Sequence, residues 1–157
     1  MKIVIYYYGK PNEPYIQPGV AIFTARIKHY YSIDWVLLPP TKQVVVTTNY
    51  TAYTLAEAVI LLPKLLVHDY IIALDERGTM LSSPALGQHI TKAALASSKR
   101  MVYIIGGAYG IHQSVLNKCN LVWSLSALVF PHQLVRLILT EQLYRACTIN
   151  NNEQYHH

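Results

Sequence analysis

The sequence predicts an α/β fold in which helices flank a mainly parallel sheet. Three observations carry that prediction. Short apolar runs rich in β-branched and aromatic residues recur along the chain, and such runs mark strands covered on both faces. Stretches with helical spacing lie between them, so strands and helices alternate at short intervals. Helix-start chemistry, Ser83-Pro84 above all, punctuates the alternation.

Met1 to Tyr8 (MKIVIYYY) reads as a buried first strand, and Gly9-Lys10-Pro11-Asn12 ends it with turn residues. Val20 to Tyr31 places Ile22, Phe23 and Ile27 among Arg26 and Lys28, a helical pattern. Ile33 to Leu38 is a second strand, stopped by Pro39-Pro40. Thr41 to Tyr53 stays open: Val44-Val45-Val46 prefers a strand, while the neighbouring Thr and Asn residues suggest an irregular connection. Thr54 to Leu62 is expected to be a helix with Thr54 as its cap, Glu57 completing a capping box and Pro63 ending it. Tyr70 to Leu74 is a continuous apolar run, a strand buried on both faces. Ser83 then caps a helix that has Pro84 at its first position. Met101 to Ile105 is a buried strand, Ser114 to Lys118 a short helix and Leu121 to Leu125 a last strand. Pro131 to Cys147 is one helix, with Glu141 four residues before Arg145.

The chain has 157 residues and neither a linker nor an internal repeat. One domain over 1–157 is expected, large enough to bury a core without disulfides or metal. Cys119 and Cys147 sit in apolar surroundings and the N-terminus lacks signal-peptide order, which points to a reducing, cytoplasmic compartment. Charged residues make up only 13%, against about 25% in ordinary domains. Such a chain is expected to bury an oligomer interface as well as a core. A membrane span is not expected, because Leu55 to Leu74 is interrupted by Glu57, Pro63, Lys64, His68 and Asp69. The net charge of +5 suits a polyanionic partner such as RNA, although the basic residues are scattered, and on charge alone a chain that binds no nucleic acid stays open.

Three glycines follow the fourth strand in Ile105-Gly-Gly-Ala-Tyr-Gly110. A dinucleotide turn needs glycine at its first, third and sixth positions. Counting from Gly106, the third is Ala108 and the sixth Ile111, so the fingerprint fails. No Gly-Lys-Ser/Thr loop for a triphosphate is present either. Taken alone, the glycines supply positive φ angles in a tight connection. The seven histidines fall into no zinc spacing, so no metal is expected.

Three blocks then occur in order: Leu74-Asp-Glu-Arg-Gly78 with Leu81-Ser-Ser83; Ile105-Gly-Gly-Ala-Tyr-Gly110; and Leu125-Ser-Ala-Leu-Val-Phe-Pro-His-Gln-Leu-Val-Arg136, continued by Glu141-Gln-Leu-Tyr-Arg145 and Tyr155-His156. With the N-terminal Met-Lys-Ile and Gly9-Lys10, they closely resemble the RlmH family of SPOUT-class methyltransferases. The resemblance covers nearly the whole chain. It implies a SPOUT-type fold with a deep C-terminal trefoil knot, an obligate homodimer, and methylation of N3 of a pseudouridine in large-subunit ribosomal RNA from S-adenosylmethionine. It also implies that Leu74, Gly106 and the segment Leu125, Ser126, Ala127, Leu128, Val129 and Phe130 wrap the cofactor by backbone contacts. That ligand carries no phosphate, so the failed fingerprint agrees with it. The dimer has support in the residues themselves: Leu134, Val135, Leu137, Ile138, Leu139, Leu143 and Tyr144 surround most of the last helix, which therefore needs more than one packing surface.

The N3 imide bears a proton, so something must remove it or stabilise the anion. Arg145 and Arg136 are the candidates for phosphate or imide-anion contact, and His156 with Tyr155 for placing the base and handling its proton. His132 shares a helical face with Arg136 and is expected to brace the loop. Ala127 and Val129 stand where the family commonly has Lys and Thr, which bears on substrate binding. A different class of function also fits the sequence: a ribosome- or RNA-binding knotted protein that binds S-adenosylmethionine without turnover. A nucleotide-binding flavodoxin-like or Rossmann protein fits less well, given the failed fingerprint.

Overall fold

A computed structural model describes residues 1–41 and 49–155. The strand-or-connection question at Val44-Val45-Val46 therefore lies outside the described residues, as does His156. The elements are β1 (Lys2–Tyr7), α1 (Gln17–Ile27), β2 (Ser32–Leu37), α2 (Tyr50–Leu61), β3 (Asp69–Met80), α3 (Ser83–Leu95), β4 (Arg100–Ile105), α4 (Gln113–Leu116), β5 (Leu121–Ser124) and α5 (His132–Asn150). The strands form one sheet in the order β2-β1-β4-β3-β5, and every neighbouring pair is parallel.

Alternate residues of each strand face opposite layers, which is why the runs read as continuously apolar. On one side Ile3, Ile5, Ile72, Met101 and Tyr103 pack beneath Leu86 and Ile90 of α3 and Leu139 and Leu143 of α5. On the other, Val4, Tyr6, Ile71, Val102 and Ile104 meet Ala58 and Leu61 of α2 and Val115 and Leu116 of α4. The central strands are sealed on both faces.

Several boundaries differ from the sequence reading, each for a local reason. α1 begins at Gln17 with Pro18 in its first turn and ends at Ile27, short of Tyr31. α2 starts at Tyr50, because the Asn49 side chain accepts from the Ala52 N–H at 3.1 Å. Thr54 is then already inside the helix, where its hydroxyl donates to the Thr51 carbonyl. The predicted capping box is therefore absent. The helix ends at Leu61, and Leu62–Lys64, containing Pro63, form a 3-10 turn. In α3 the cap is Ser82 rather than Ser83. Ser83 instead donates its hydroxyl to Gln142 of α5 at 2.6 Å. α5 runs on to Asn150, with Pro131 at its cap position.

β3 extends well past the predicted Leu74. Both Leu74 and Thr79 pair with Trp123 of β5, so Asp75 to Gly78 loop out between them. That bulge falls at the carboxyl edge of the sheet.

Candidate active site

In a parallel sheet every strand ends on the same edge, and ligands bind where the connecting loops gather there. Here the bulge of β3, the loop after β4, the loop after β5 and the first turn of α2 enclose a cavity of about 740 Å³. Leu74, Gly106, Leu125, Ser126, Leu128, Val129 and Phe130 all line it; Ala127, the remaining predicted cofactor contact, does not.

The glycine loop is held from below. Gly107 and Gly110 form an antiparallel bridge, and only Gly110 of the three has a positive φ, +82°. A Cβ at Gly107 would strike the Glu57 carboxylate, so any side chain there would have to displace that group. Glu57 is buried. Desolvation pushes its carboxyl up from 4.5 to about 7, against the hydrogen bonds from the Tyr53 hydroxyl and the Gly107 N–H.

A second brace joins the β3 bulge to the same loop. Arg77 grips Asp75 with two bonds, 2.7 Å from Nε and 2.8 Å from its terminal nitrogen, and donates to the Ile111 carbonyl at 3.1 Å. Desolvation opposes ionisation of Asp75, but the hydrogen bonds and charge of Arg77 outweigh it and hold the carboxyl below its usual range. Among the described residues that line the cavity, Arg77 is the one Lys or Arg, and it is committed to that fork. The rest of the lining is mixed: Leu74, Ile105, Phe130 and Val135 stand beside Glu76, Gln113, Ser124 and Ser126, and the buried Trp123 Nε1–H has no acceptor among the described residues. These residues fit a phosphate-free nucleoside ligand of positive charge better than a pyrophosphate.

The predicted catalytic residues fall into separate places. His132 lines the cavity at its exposed rim, and its imidazole is held below the ordinary value, first by desolvation and then by the Arg136 charge. Arg136 does not line the cavity, which corrects its reading as an anion contact. It is 1% exposed. One terminal nitrogen donates to the Lys10 carbonyl at 2.9 Å and to Asn12, the other to the Tyr8 carbonyl at 3.2 Å, and the guanidinium lies 4.4 Å over the Tyr7 ring. It clasps the loop after β1.

Arg145 lies thirteen residues beyond His132, which at 1.5 Å per residue is about 20 Å along the helix. It bonds Glu141 at 2.6 Å and the Tyr155 carbonyl at 3.3 Å, and stacks over the Tyr155 ring at 4.9 Å. Tyr155 packs edge-on to Tyr144 and reaches Glu141 through its hydroxyl. Arg145 and Tyr155 thus form one cluster, and neither lines the cavity of their own chain.

Sequence reasoning missed Glu57, Asp75, Arg77, Tyr50, Tyr53 and Tyr109. The Leu74-Asp-Glu-Arg-Gly78 block pointed at two of them; Glu57 was hidden by its fit to a capping box. Among the described residues no cluster suited to a metal ion occurs, and no helix is long and apolar enough to cross a membrane.

A wholly parallel sheet whose carboxyl-edge loops form a cup without a phosphate cradle defines a class: an α/β protein with a ligand-sized cup at the carboxyl edge of its sheet. The particular family follows from comparison. The chain belongs to the SPOUT methyltransferases, the family described as "Predicted SPOUT methyltransferase" matching residues 1–156. It is 38% identical to the Ribosomal RNA large subunit methyltransferase H of Trichlorobacter lovleyi and 35% identical to that of Cytophaga hutchinsonii, each over 100% of both chains. Among solved structures, a probable methyltransferase from Bordetella pertussis superposes with a TM-score of 0.55 at 13% identity, over 92% of this chain and 95% of that one. At that identity the likeness speaks for the fold alone.

Proposed function

We propose that this chain, as one domain over 1–157, is an S-adenosylmethionine-dependent methyltransferase acting on N3 of a pseudouridine in large-subunit (23S) ribosomal RNA. We infer that it works in the cytoplasm on the assembled ribosome, as a homodimer, with its C-terminal segment threaded in a deep trefoil knot. The observation that carries the reading is the phosphate-free cup at the carboxyl edge of β3, β4 and β5 in a chain of a methyltransferase family.

When bound, the cofactor supplies an electrophilic methyl group on a positively charged sulfur. Leu74, Gly106, Leu125, Ser126 and Leu128 to Phe130 would hold it, and the Glu57 and Asp75–Arg77 braces would keep the cup open in advance. Preorganisation of this kind supplies much of the rate of an in-line transfer. The remaining task is the imide proton. Arg145 would stabilise the developing negative charge, while Tyr155 helps place the base and His156 receives that proton. His132 orders the rim.

The separation of about 20 Å along α5 between His132 and Arg145 supports a second copy. If Arg145 and Tyr155 act at a cup, it is the partner's. The half-buried Leu134, Leu137 and Ile138 of α5 leave apolar surface for such a partner.

The test is transfer of labelled methyl from S-adenosylmethionine to large ribosomal subunits, read by mass spectrometry of the RNA. One added methyl on a pseudouridine is the expected result. Cofactor binding by calorimetry without transfer would instead mark a binding protein without turnover. Tight binding of NAD or FMN, with no response to S-adenosylmethionine, would overturn the reading.

A further inference from the structure

One feature of the cavity mouth is not used by the reaction described above. Tyr50, from the first turn of α2, and Tyr109, from the glycine loop, stack on each other with centroids 4.5 Å apart and planes at 28°. Tyr53 meets Tyr109 edge-on at 5.0 Å. The cup itself is buried at Leu74, Ile105 and Trp123, yet Tyr50 is 59% and Tyr109 49% exposed. Both line the same cavity.

We infer that Tyr109, backed by Tyr50, is a stacking platform for an unpaired base of the RNA substrate, a positioning surface beside the cofactor cup. The inference rests on the RNA methyltransferase reading.

Unpaired bases are recognised by stacking on aromatic faces, which serves any base because each has a π-face. A platform is effective when its rings are already fixed, and these are. Tyr109 sits within the four-residue loop closed by the Gly107–Gly110 bridge. Tyr53, which props it edge-on, is tied through its hydroxyl to Glu57, and Glu57 accepts from the Gly107 N–H. The rings and the cofactor loop therefore share one anchor. A base stacked on Tyr109 is registered against the cup by the same hydrogen bonds that shape the cup.

The position argues for RNA over the other occupants. α2 packs on the sheet face opposite α5, so the tyrosines lie on a different layer from the apolar α5 surface proposed for the dimer. The rings stand at the exposed mouth, and the chain carries a net charge of +5, suited to a polyanion.

The experiment compares the full-length wild type with Tyr109→Ala, the Tyr50→Ala/Tyr109→Ala pair and Tyr109→Phe. Affinity for purified large ribosomal subunits is expected to fall about tenfold for Tyr109→Ala and further for the pair. Tyr109→Phe keeps the ring and stays within about twofold of the wild type. In turnover the loss falls on KM for RNA, with kcat little changed. S-adenosylmethionine affinity by calorimetry and the sedimentation coefficient stay at wild-type values. Unaltered RNA affinity in the double variant overturns the inference. So does a loss in cofactor affinity, which would make the rings a cofactor lid, or a loss of dimer, which would make them an interface. If the wild type transfers no methyl, the functional reading fails by itself, and the RNA affinities of Tyr109→Ala and Tyr109→Phe still decide the platform.

Discussion

Arg145 and Arg136 show how little a residue type says until its layer is known. Both are arginines on one helix, yet Arg136 is buried against the carbonyls of the loop after β1 while Arg145 sits in a cluster with Glu141 and Tyr155. Spacing placed His132 and Arg136 on a common face correctly; it carried no information about what that face packs against. Arg145→Ala is expected to cut methyl transfer by roughly a hundredfold or more, with the sedimentation coefficient unchanged. Retained activity would remove Arg145 from the mechanism. Glu57 allows a test by pH. Its folded carboxyl titrates near 7 and its ordinary value is 4.5, so between those values the native chain keeps a proton that the unfolded chain releases. The protonated group's contribution is fully present below about pH 4.5 and is lost as pH rises through about 7. Glu57→Gln is therefore expected to gain on the wild type by roughly 2 kcal/mol between pH 5 and pH 8. Parallel denaturation curves at the two pH values would refute the assignment.

At the scale of elements, the strands were legible because burial on both faces leaves an unbroken apolar run, as in Met101 to Ile105. Helix starts were less so. Ser82 and Ser83 both qualify as caps from composition, and only the extended backbone of Ser82 selects it. The β3 bulge was invisible for a similar reason: Asp75 to Gly78 reads as the end of a strand, and its return to pairing at Thr79 depends on β5, far away in sequence. The end of α3 offers a clean check. Ser97, just after that helix, has φ +56°, a left-handed conformation that favours glycine. Ser97→Gly is expected to stabilise the chain by about 0.5–1 kcal/mol, read as a higher denaturant midpoint at constant m-value. A lower midpoint would mean that the serine side chain stabilises the turn by more than the strain it bears.

For the whole molecule, the fold class was legible from alternation, but the strand order β2-β1-β4-β3-β5 was not, because nothing local to a strand names its neighbours. The proposed partner copy was legible only as surplus apolar surface on α5. Its role yields a test by mixing. A heterodimer of an Arg145→Ala chain with a Gly106→Val chain, whose added side chain would meet Ile111 and the Gly110 backbone, has one intact composite site if each cup uses the partner's Arg145. Such a heterodimer is expected to recover about half the wild-type rate, although neither homodimer is active. No recovery would place Arg145 at its own chain's cup. The clasp of Arg136 on Tyr8, Lys10 and Asn12 has a further consequence for how the protein is made. The loop that leaves the first strand is closed by a side chain more than a hundred residues later, and the same helix supplies Leu139, Leu143 and Ala146 to the core. Contacts of such long sequence separation form late. While the nascent chain is still being synthesised, its earliest segment has no closing partner, so the ribosome must release nearly the whole polypeptide before the enzyme can assemble.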